Sequence, residues 1–200
     1  MKKKTVRRVA LAASALAVAG GVAAFLLSRR KTIPEGVEAV TPFDLDRYLG
    51  KWYEIARFDY RFEKGLDHAT AKYSRNADGS IKVVNKGRKS SGKKVKAVGR
   101  AVLAGPENAG MLKVSFFGPF YAGYNVIAID PQYQHALVAG QNRDYLWILS
   151  REKKLPDEVR EAYLQKARDL GFAVEKLVWP EQGESVETAA EGLEPTEIKL

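Results

Sequence analysis

The chain has 200 residues, no cysteine, two histidines and a formal net charge of +9 at neutral pH. This length can bury one sizeable core, so we expect a single domain with appendages. The lack of cysteine excludes disulfide scaffolds, cysteine zinc sites, cysteine nucleophiles and lipid attachment to an N-terminal cysteine, and two histidines leave little material for a metal site.

Most of the excess positive charge lies at the N-terminus. Residues 1–31 contain eight of the 33 basic residues and no acidic residue, which leaves 25 basic and 24 acidic residues in the rest of the chain. Basic residues flank an uninterrupted run of small and apolar residues from Val9 to Leu27. This pattern predicts a membrane-insertion signal in residues 1–31, with everything after it exported to the cell envelope.

Two interpretations of this signal stay open. As a helix rising about 1.5 Å per residue, the apolar run would reach across a hydrocarbon core and anchor the uncleaved protein on the periplasmic face of an inner membrane. Alternatively, Ala17-Val18-Ala19 matches a signal peptidase site. Cleavage there would release the protein to the periplasm or the outer membrane.

Composition separates two further segments from the packed domain, which we expect at residues 42–180. Residues 32–41 are short and polar and contain Pro34 and Gly36, which predicts a linker. Residues 181–200 contain six glutamates, one lysine and no aromatic residue. Because such a segment cannot bury enough apolar surface to order itself, we expect a disordered acidic tail.

Inside the domain, apolar and polar residues alternate over short runs rich in valine, isoleucine, tyrosine and phenylalanine, the period-two pattern of half-buried strands. Turn sequences such as Asp78-Gly79 and Gly118-Pro119 separate the runs. The eight predicted strands cover residues 51–59, 68–76, 80–88, 94–104, 111–117, 123–130, 134–139 and 144–150.

One helix is predicted over Asp157–Leu170, where apolar residues recur at spacings of three and four. Pro156 before it and Gly171 after it are the expected start and stop signals. A ninth short strand is predicted over Val174–Trp179.

Eight sequential antiparallel strands favour closure, since an open sheet would expose two unpaired edges. We therefore predict an all-β fold: an eight-stranded up-and-down barrel with the single C-terminal helix packed outside, preceded by an N-terminal hydrophobic helix. A barrel of eight strands has an interior just large enough for one small ligand.

Three short motifs fall on the predicted strands in order. Gly50-Lys51-Trp52 begins the first strand, Asp130-Pro131-Gln132-Tyr133 follows the sixth, and Arg151 follows the eighth. Together they resemble the three motifs of the lipocalin family, in particular its bacterial, apolipoprotein-D-like branch. The resemblance, over residues 43–179, implies that Trp52 plugs the closed end of the barrel while the Arg151 guanidinium lies over its ring, a structural role.

Alternation along the strands predicts which side chains face the interior. If Trp147 points inward, Tyr145 and Leu149 do so too. The family alignment implies that Trp52, Ala56 and Phe58 are the inward residues of the first strand. The candidate ligand-binding residues are Ala56, Phe58, Tyr73, Val83, Asn85, Val114, Phe116, Tyr124, Val126, Tyr145 and Trp147.

This lining is aromatic and aliphatic, with few polar atoms. On the strand pattern alone, the barrel is as readily filled by its own side chains, binding nothing, as hollow. The lipocalin resemblance implies a hollow interior and a protein that stores or transports lipids, with fatty acids and lysophospholipids as ligands and no cofactor. It also implies a role in membrane maintenance under stress.

A cluster of cations marks the expected mouth of the barrel. Between Ser80 and Pro106 lie eight basic residues and no acidic residue. Lipocalin topology implies that the loop between the third and fourth strands lies at the mouth. There Lys89, Lys93 and Lys94 would meet anionic headgroups or a membrane surface, with about 1 kcal/mol of attraction per cation. The alternative is a solvated basic hairpin that only improves solubility.

The next mouth loop, expected over Phe117–Gly123, carries exposed aromatic residues. A lid, a membrane-touching tip and a contact with a second subunit, as in a homodimer, are three interpretations that the sequence does not rank.

Two other classes of function remain as alternatives: a lipocalin-fold enzyme acting on a lipid-like substrate, and a structural envelope scaffold with a filled barrel. We predict no enzyme, because the sequence has no G-x-S-x-G elbow, H-E-x-x-H helix, Walker loop or G-x-G-x-x-G. His68 and His135 also fall on different predicted strands. Nucleic-acid binding is set aside, because the basic stretch lacks an RNA-binding consensus and the protein is expected to be exported.

Overall fold

The computed structural model describes residues 32–59 and 65–183 and the backbone of Thr196–Glu197. The predicted signal in residues 1–31, with its hydrophobic helix, and most of the predicted acidic tail lie outside these residues. Within the described ranges, none of the helices has the length and apolar character needed to cross a membrane.

Eight antiparallel strands follow one another around a closed barrel. They are β1 (Gly50–Phe58), β2 (Leu66–Arg75), β3 (Ile81–Lys89), β4 (Lys94–Leu103), β5 (Met111–Phe117), β6 (Phe120–Ile129), β7 (His135–Gly140) and β8 (Leu146–Ser150). Each strand pairs with the next, and β8 pairs back with β1. This closure confirms the predicted barrel, which leaves no unpaired edge along its main circuit.

The remaining elements flank the barrel. Helix α1 (Leu45–Tyr48) precedes β1 and was not predicted; the Asp44 side chain caps it by accepting from the backbone N–H groups of Asp46 and Arg47. Helix α2 (Asp157–Asp169) follows β8, as expected. The predicted ninth strand is shorter than expected, because Val174–Lys176 form a 3₁₀ turn and only Leu177–Val178 (β9) pair with β1. Thr196–Glu197 (β10) run parallel to β4.

Two hydrophobic clusters lie on opposite sides of the barrel wall. The outer cluster joins α2 to the strands and includes Tyr163, Leu164 and Ala167 from the helix. The inner cluster lies inside the barrel and includes Trp52, Tyr73, Ile81, Val83, Val126, Val138 and Leu149. Membership of one cluster or the other therefore tells which way a strand residue faces.

A β-bulge in β1 reverses the expected alternation. The register against β8 shifts between Glu54 and Ala56, so Ile55 is the extra residue. Ala56 then lies opposite Ile148, and both belong to the outer cluster that packs on α2, together with Phe58. The expectation that Ala56 and Phe58 point into the barrel is therefore corrected: both contact the outer core, because one inserted residue moves every later side chain to the other face.

A second correction concerns the expected loop over Phe117–Gly123. The structure has a tight hairpin there, with only Gly118 and Pro119 between β5 and β6. Phe117 and Phe120 are partners in register across this turn. Residues 120–123 thus belong to β6, and the aromatic residues stand on a hairpin rather than on a flexible loop.

The segments flanking the predicted domain also pack on the barrel. In residues 32–41, which the composition indicated as a linker, Val37 is buried in the outer cluster and Val40 exchanges backbone hydrogen bonds with Val126 and Gly110. At the other end, the Gln182 side chain donates to the backbone carbonyls of Glu54 and Ala69. Residues 177–183 therefore bridge β1 and β2 beyond the point where the two strands stop pairing.

Candidate ligand-binding site

One end of the barrel is closed by a plug built on Trp52 and Arg151. The Arg151 guanidinium lies 3.7 Å from the centre of the Trp52 ring. Its nitrogens donate to the backbone carbonyls of Arg47, Tyr48, Leu49 and Lys51 over 2.7–3.1 Å. One side chain therefore ties α1 and the start of β1 to the end of β8.

Gly50 is required beside this plug for two reasons. Its φ of +98° lies in a region that side chains disfavour, and a Cβ there would come within 3.2 Å of Arg151 Nη1. In the G-x-W motif, Gly50 thus supplies a backbone conformation that favours glycine, and Trp52 supplies the ring that Arg151 covers.

The second motif shapes the turn between β6 and β7 at the same end. An oxygen of the Asp130 side chain accepts from the backbone N–H groups of Gln134 and His135. The Tyr133 hydroxyl accepts from the Asp44 N–H over 2.7 Å, and the Arg47 guanidinium lies 4.2 Å from the Tyr133 ring centre. These contacts support the structural role that the resemblance implied for the motif residues.

Above the plug, three tyrosines join their hydroxyl groups inside the barrel. Tyr124 lies 2.6 Å from the Tyr48 hydroxyl and accepts a hydrogen bond of 2.8 Å from Tyr73. Burial raises the pKa of both Tyr48 and Tyr124 well above the ordinary tyrosine value. The cluster is therefore uncharged at neutral pH, and it forms a neutral polar floor in a largely apolar interior.

Aromatic rings continue from this floor towards the mouth. The centre of the Trp147 ring lies 6.4 Å from that of Tyr124 and 6.2 Å from that of Tyr145, on which it stacks. Such rings present flat apolar surfaces to the space inside the barrel.

Exposure of the interior side chains rises from the plug to the mouth. Trp52, Ile81 and Val126 near the closed end are fully buried. Several interior side chains nearer the mouth are partly accessible to solvent, namely Asn85, Val114, Phe116, Tyr145 and Trp147, and so is Tyr124 at the floor. Solvent therefore reaches part of the interior above the plug.

Nine of the eleven predicted lining residues share this interior. Tyr73, Val83, Val114, Phe116, Tyr124, Val126 and Trp147 belong to or pack on the inner cluster, Asn85 pairs with Ala71, which packs on the same cluster, and Tyr145 stacks on Trp147. Ala56 and Phe58 are the two that lie elsewhere.

Sequence reasoning missed two interior residues, Glu54 and Arg57. They lie opposite Leu149 and Trp147, which are inner-cluster residues of β8. Their ion pair spans 2.7 Å, and Arg57 is 2% exposed. Glu54 was signalled by its position two residues after Trp52, and Arg57 by the adjacent apolar pair Ile55-Ala56, which interrupts the alternation.

Two polar features lie closer to the mouth. The Asn85 Oδ1 atom is buried and has no hydrogen-bond partner among the described residues. Lys89, Lys93 and Lys94 flank the turn between β3 and β4, and all three are exposed. Within the described ranges, no group of three or more histidine and carboxylate side chains is close enough together to hold a metal ion.

Comparison with known proteins agrees with this architecture. The family model described as a lipocalin-like domain matches residues 43–182. Outer membrane lipoprotein Blc of Citrobacter freundii is 53% identical over 168 residues, which cover 82% of this chain and 95% of that protein. Outer membrane lipoprotein Blc of Escherichia coli strain K12 is 52% identical over 168 residues, with the same coverage of both chains.

Among solved structures, insecticyanin from the tobacco hornworm Manduca sexta superposes with a TM-score of 0.62 at 22% identity. The superposition covers 77% of this chain and 88% of the insecticyanin chain. At that identity the likeness shows a common fold.

Proposed function

Because the chain belongs to the lipocalin family, we propose that it binds the hydrocarbon tail of a lipid inside the barrel and stores or transports that lipid in the cell envelope. Fatty acids and lysophospholipids are the proposed ligand classes. The relatives named outer membrane lipoprotein support the cell envelope as the location.

The observation that carries this proposal is the gradient of exposure along the interior. Side chains at the plug are fully buried, whereas Phe116 and Trp147 nearer the mouth are partly accessible. A tail entering from the mouth would cover these rings. At about 0.8 kcal/mol per methylene, a chain of about sixteen carbons offers more than about 10 kcal/mol before association and ordering costs are subtracted.

Polar groups near the mouth fit the polar end of such a ligand. The Asn85 Oδ1 atom is an unused acceptor for a hydroxyl group, and the exposed cations Lys89, Lys93 and Lys94 suit a carboxylate or phosphate. We therefore propose that the tail points to the tyrosine floor and that the headgroup stays at the mouth.

A matched pair of variants tests the interior site. Ala97 pairs with Asn85 and faces inward, whereas its neighbour Val98 is 38% exposed on the outer face. Titration with a fatty acid that carries an environment-sensitive fluorophore should saturate for the parent chain and for Val98→Trp. We expect Ala97→Trp to weaken this binding at least about tenfold, because its indole would fill the space of the tail.

Displacement of the probe by unlabelled fatty acid and by lysophospholipid then ranks the two ligand classes. An absence of saturable binding by the parent chain, or equal binding by Ala97→Trp and Val98→Trp, would contradict the proposal. Circular dichroism of both variants verifies that they fold.

A further inference from the structure

The hairpin of β5 and β6 carries an exposed aromatic tip at the open end. Phe117 and Phe120 face each other across the two-residue turn and are 58% and 72% exposed, and Tyr121 is 41% exposed. These side chains expose large apolar surfaces to water, and a contiguous apolar patch of this kind commonly marks an interaction site. The paired strands β5 and β6 hold the tip in place.

The strands β3 to β6, which form this side of the barrel, are rich in cations and poor in carboxylates. Between Ser80 and Ile129 the chain has nine basic residues and one acidic residue, Glu107. Glu107 lies between β4 and β5, at the closed end of the barrel. No acidic side chain of β3, β4, β5 or β6 therefore lies near the mouth on this side.

The neighbouring hairpin places like charges opposite one another. Lys86 pairs with Lys96, and Arg88 pairs with Lys94, across β3 and β4. Asp67 of β2 is in register with Arg88 and Glu197 of β10 with Lys96, so among the described residues only Lys86 and Lys94 of these four cations have no acidic residue in register. Like charges directly opposite on a sheet are destabilising. An anionic surface laid against this hairpin would relieve that repulsion.

We propose that the open end docks on an anionic lipid bilayer, with Phe117 and Phe120 entering the headgroup region and Lys89, Lys93 and Lys94 contacting the lipid phosphates. A bilayer offers negative charge and apolar depth in one surface, and aromatic side chains favour that interface. Docking goes beyond ligand binding, because it describes how the protein meets the membrane and not what the barrel holds.

Two other occupants fit this surface less well. A second copy would bring the same cations against those of the first. The C-terminal residues Thr196–Glu197 pair with β4 at Val95 and Lys96, and Lys89, Lys93 and Lys94 are exposed. The bilayer accounts for both the charge and the aromatic tip.

A local probe tests insertion of the tip in the full chain. Because the chain has no cysteine, the variant Phe120→Cys can be labelled at that position alone with a polarity-sensitive fluorophore. The variant Ala162→Cys, labelled in the same way on the exposed face of α2, is the control. With phosphatidylglycerol vesicles we expect a blue shift of the label at position 120 and none at position 162. Phosphatidylcholine vesicles should give a much smaller shift at position 120.

Vesicle flotation with matched variants tests the contributions to binding. At about fivefold per cation near the surface, the triple change Lys89→Gln, Lys93→Gln and Lys94→Gln should weaken binding to anionic vesicles by about 100-fold at low salt. The triple change Lys154→Gln, Lys166→Gln and Lys176→Gln alters the net charge equally on other exposed lysines and should have much less effect. The double change Phe117→Ser and Phe120→Ser should weaken binding at least about tenfold, and Trp179→Ser, which removes another exposed aromatic ring, should not.

Three results would overturn docking by this end: a label at position 120 that stays unshifted while the protein floats with vesicles, equal losses for the two lysine triples, or a shift that depends on protein concentration without lipid. The last would assign the tip to a second copy. Fatty-acid titration in solution separates this proposal from the ligand site, because the Phe117→Ser and Phe120→Ser variant should bind the probe like the parent chain.

Discussion

The Arg57 guanidinium donates a 2.7 Å hydrogen bond to the Glu54 carboxylate within the barrel wall. The same guanidinium donates to the backbone carbonyl of Leu66 over 3.0 Å, so it also links β1 to β2 near the open end. Both charges are buried, and a buried pair is costly to break from one side. Removing one partner should therefore cost much more stability than breaking an exposed ion pair.

Replacing one member of this pair should destabilise the protein strongly. We expect Arg57→Met to lower the free energy of unfolding by about 3 kcal/mol, because Glu54 would lose its buried counter-charge. Changing Glu54→Met as well should recover at least about 1 kcal/mol. Urea unfolding of the single and double variants measures this. As a control, Arg75→Met breaks an exposed ion pair with Asp46 and should lower the free energy of unfolding by less than about 1 kcal/mol. If the double variant of Glu54 and Arg57 is no more stable than Arg57→Met alone, the buried counter-charge does not explain the loss.

The plug at the closed end gives a second prediction about stability. Arg151→Met should lower the free energy of unfolding by about 2–4 kcal/mol, because several backbone carbonyls and the Trp52 ring lose their cationic partner. Arg100→Met removes an arginine whose ion pair with Asp78 is exposed, and serves as the control. Chemical denaturation compares the two. Similar losses for both variants would argue against the plug.

The tyrosine floor should make stability fall at alkaline pH. Folding raises the pKa of Tyr48 and Tyr124, while tyrosine in the unfolded chain ionises at about pH 10. The stabilisation is therefore complete below about pH 10 and is lost as the pH rises from there towards the raised pKa. Urea midpoints at pH 8 and pH 11 should differ less for Tyr124→Phe than for the parent chain. Tyr121→Phe, which removes an exposed hydroxyl, should behave like the parent, and an unchanged slope in Tyr124→Phe would count against the hydroxyl cluster.

The bulge at Ile55 predicts how a larger side chain at position 56 behaves. Ala56 is fully buried in the outer cluster with residues of α2. Ala56→Leu should overpack that contact and cost about 1–3 kcal/mol, while fatty-acid titration stays the same as for the parent chain. Loss of binding with unchanged stability would mean that Ala56 faces the ligand after all.

Several features of this fold were readable from the chain because they depend on local patterns. Alternation with period two marked the eight strands, and Pro156 and Gly171 bracketed the helix that the structure has at Asp157–Asp169. Both signals involve residues a few positions apart in the sequence, so they can be recognised without knowing which distant residues each element packs against. The motif residues Trp52 and Arg151 were recognisable by resemblance, and the lipocalin-like domain match confirms that family.

Other features depended on contacts with residues that are distant in the sequence. The single inserted residue Ile55 is set by the register of β1 against β8, and it places Arg57 rather than Ala56 and Phe58 on the inner face. Tyr48, in the four-residue helix α1, joins the hydroxyl cluster of Tyr73 and Tyr124. Val37 packs against apolar residues that lie far away in the sequence. Period and motif in the sequence determined the strands, the helix and the closed barrel. Only the packed structure decided which face each later residue of β1 presents, because register depends on hydrogen bonds to a strand about ninety residues away.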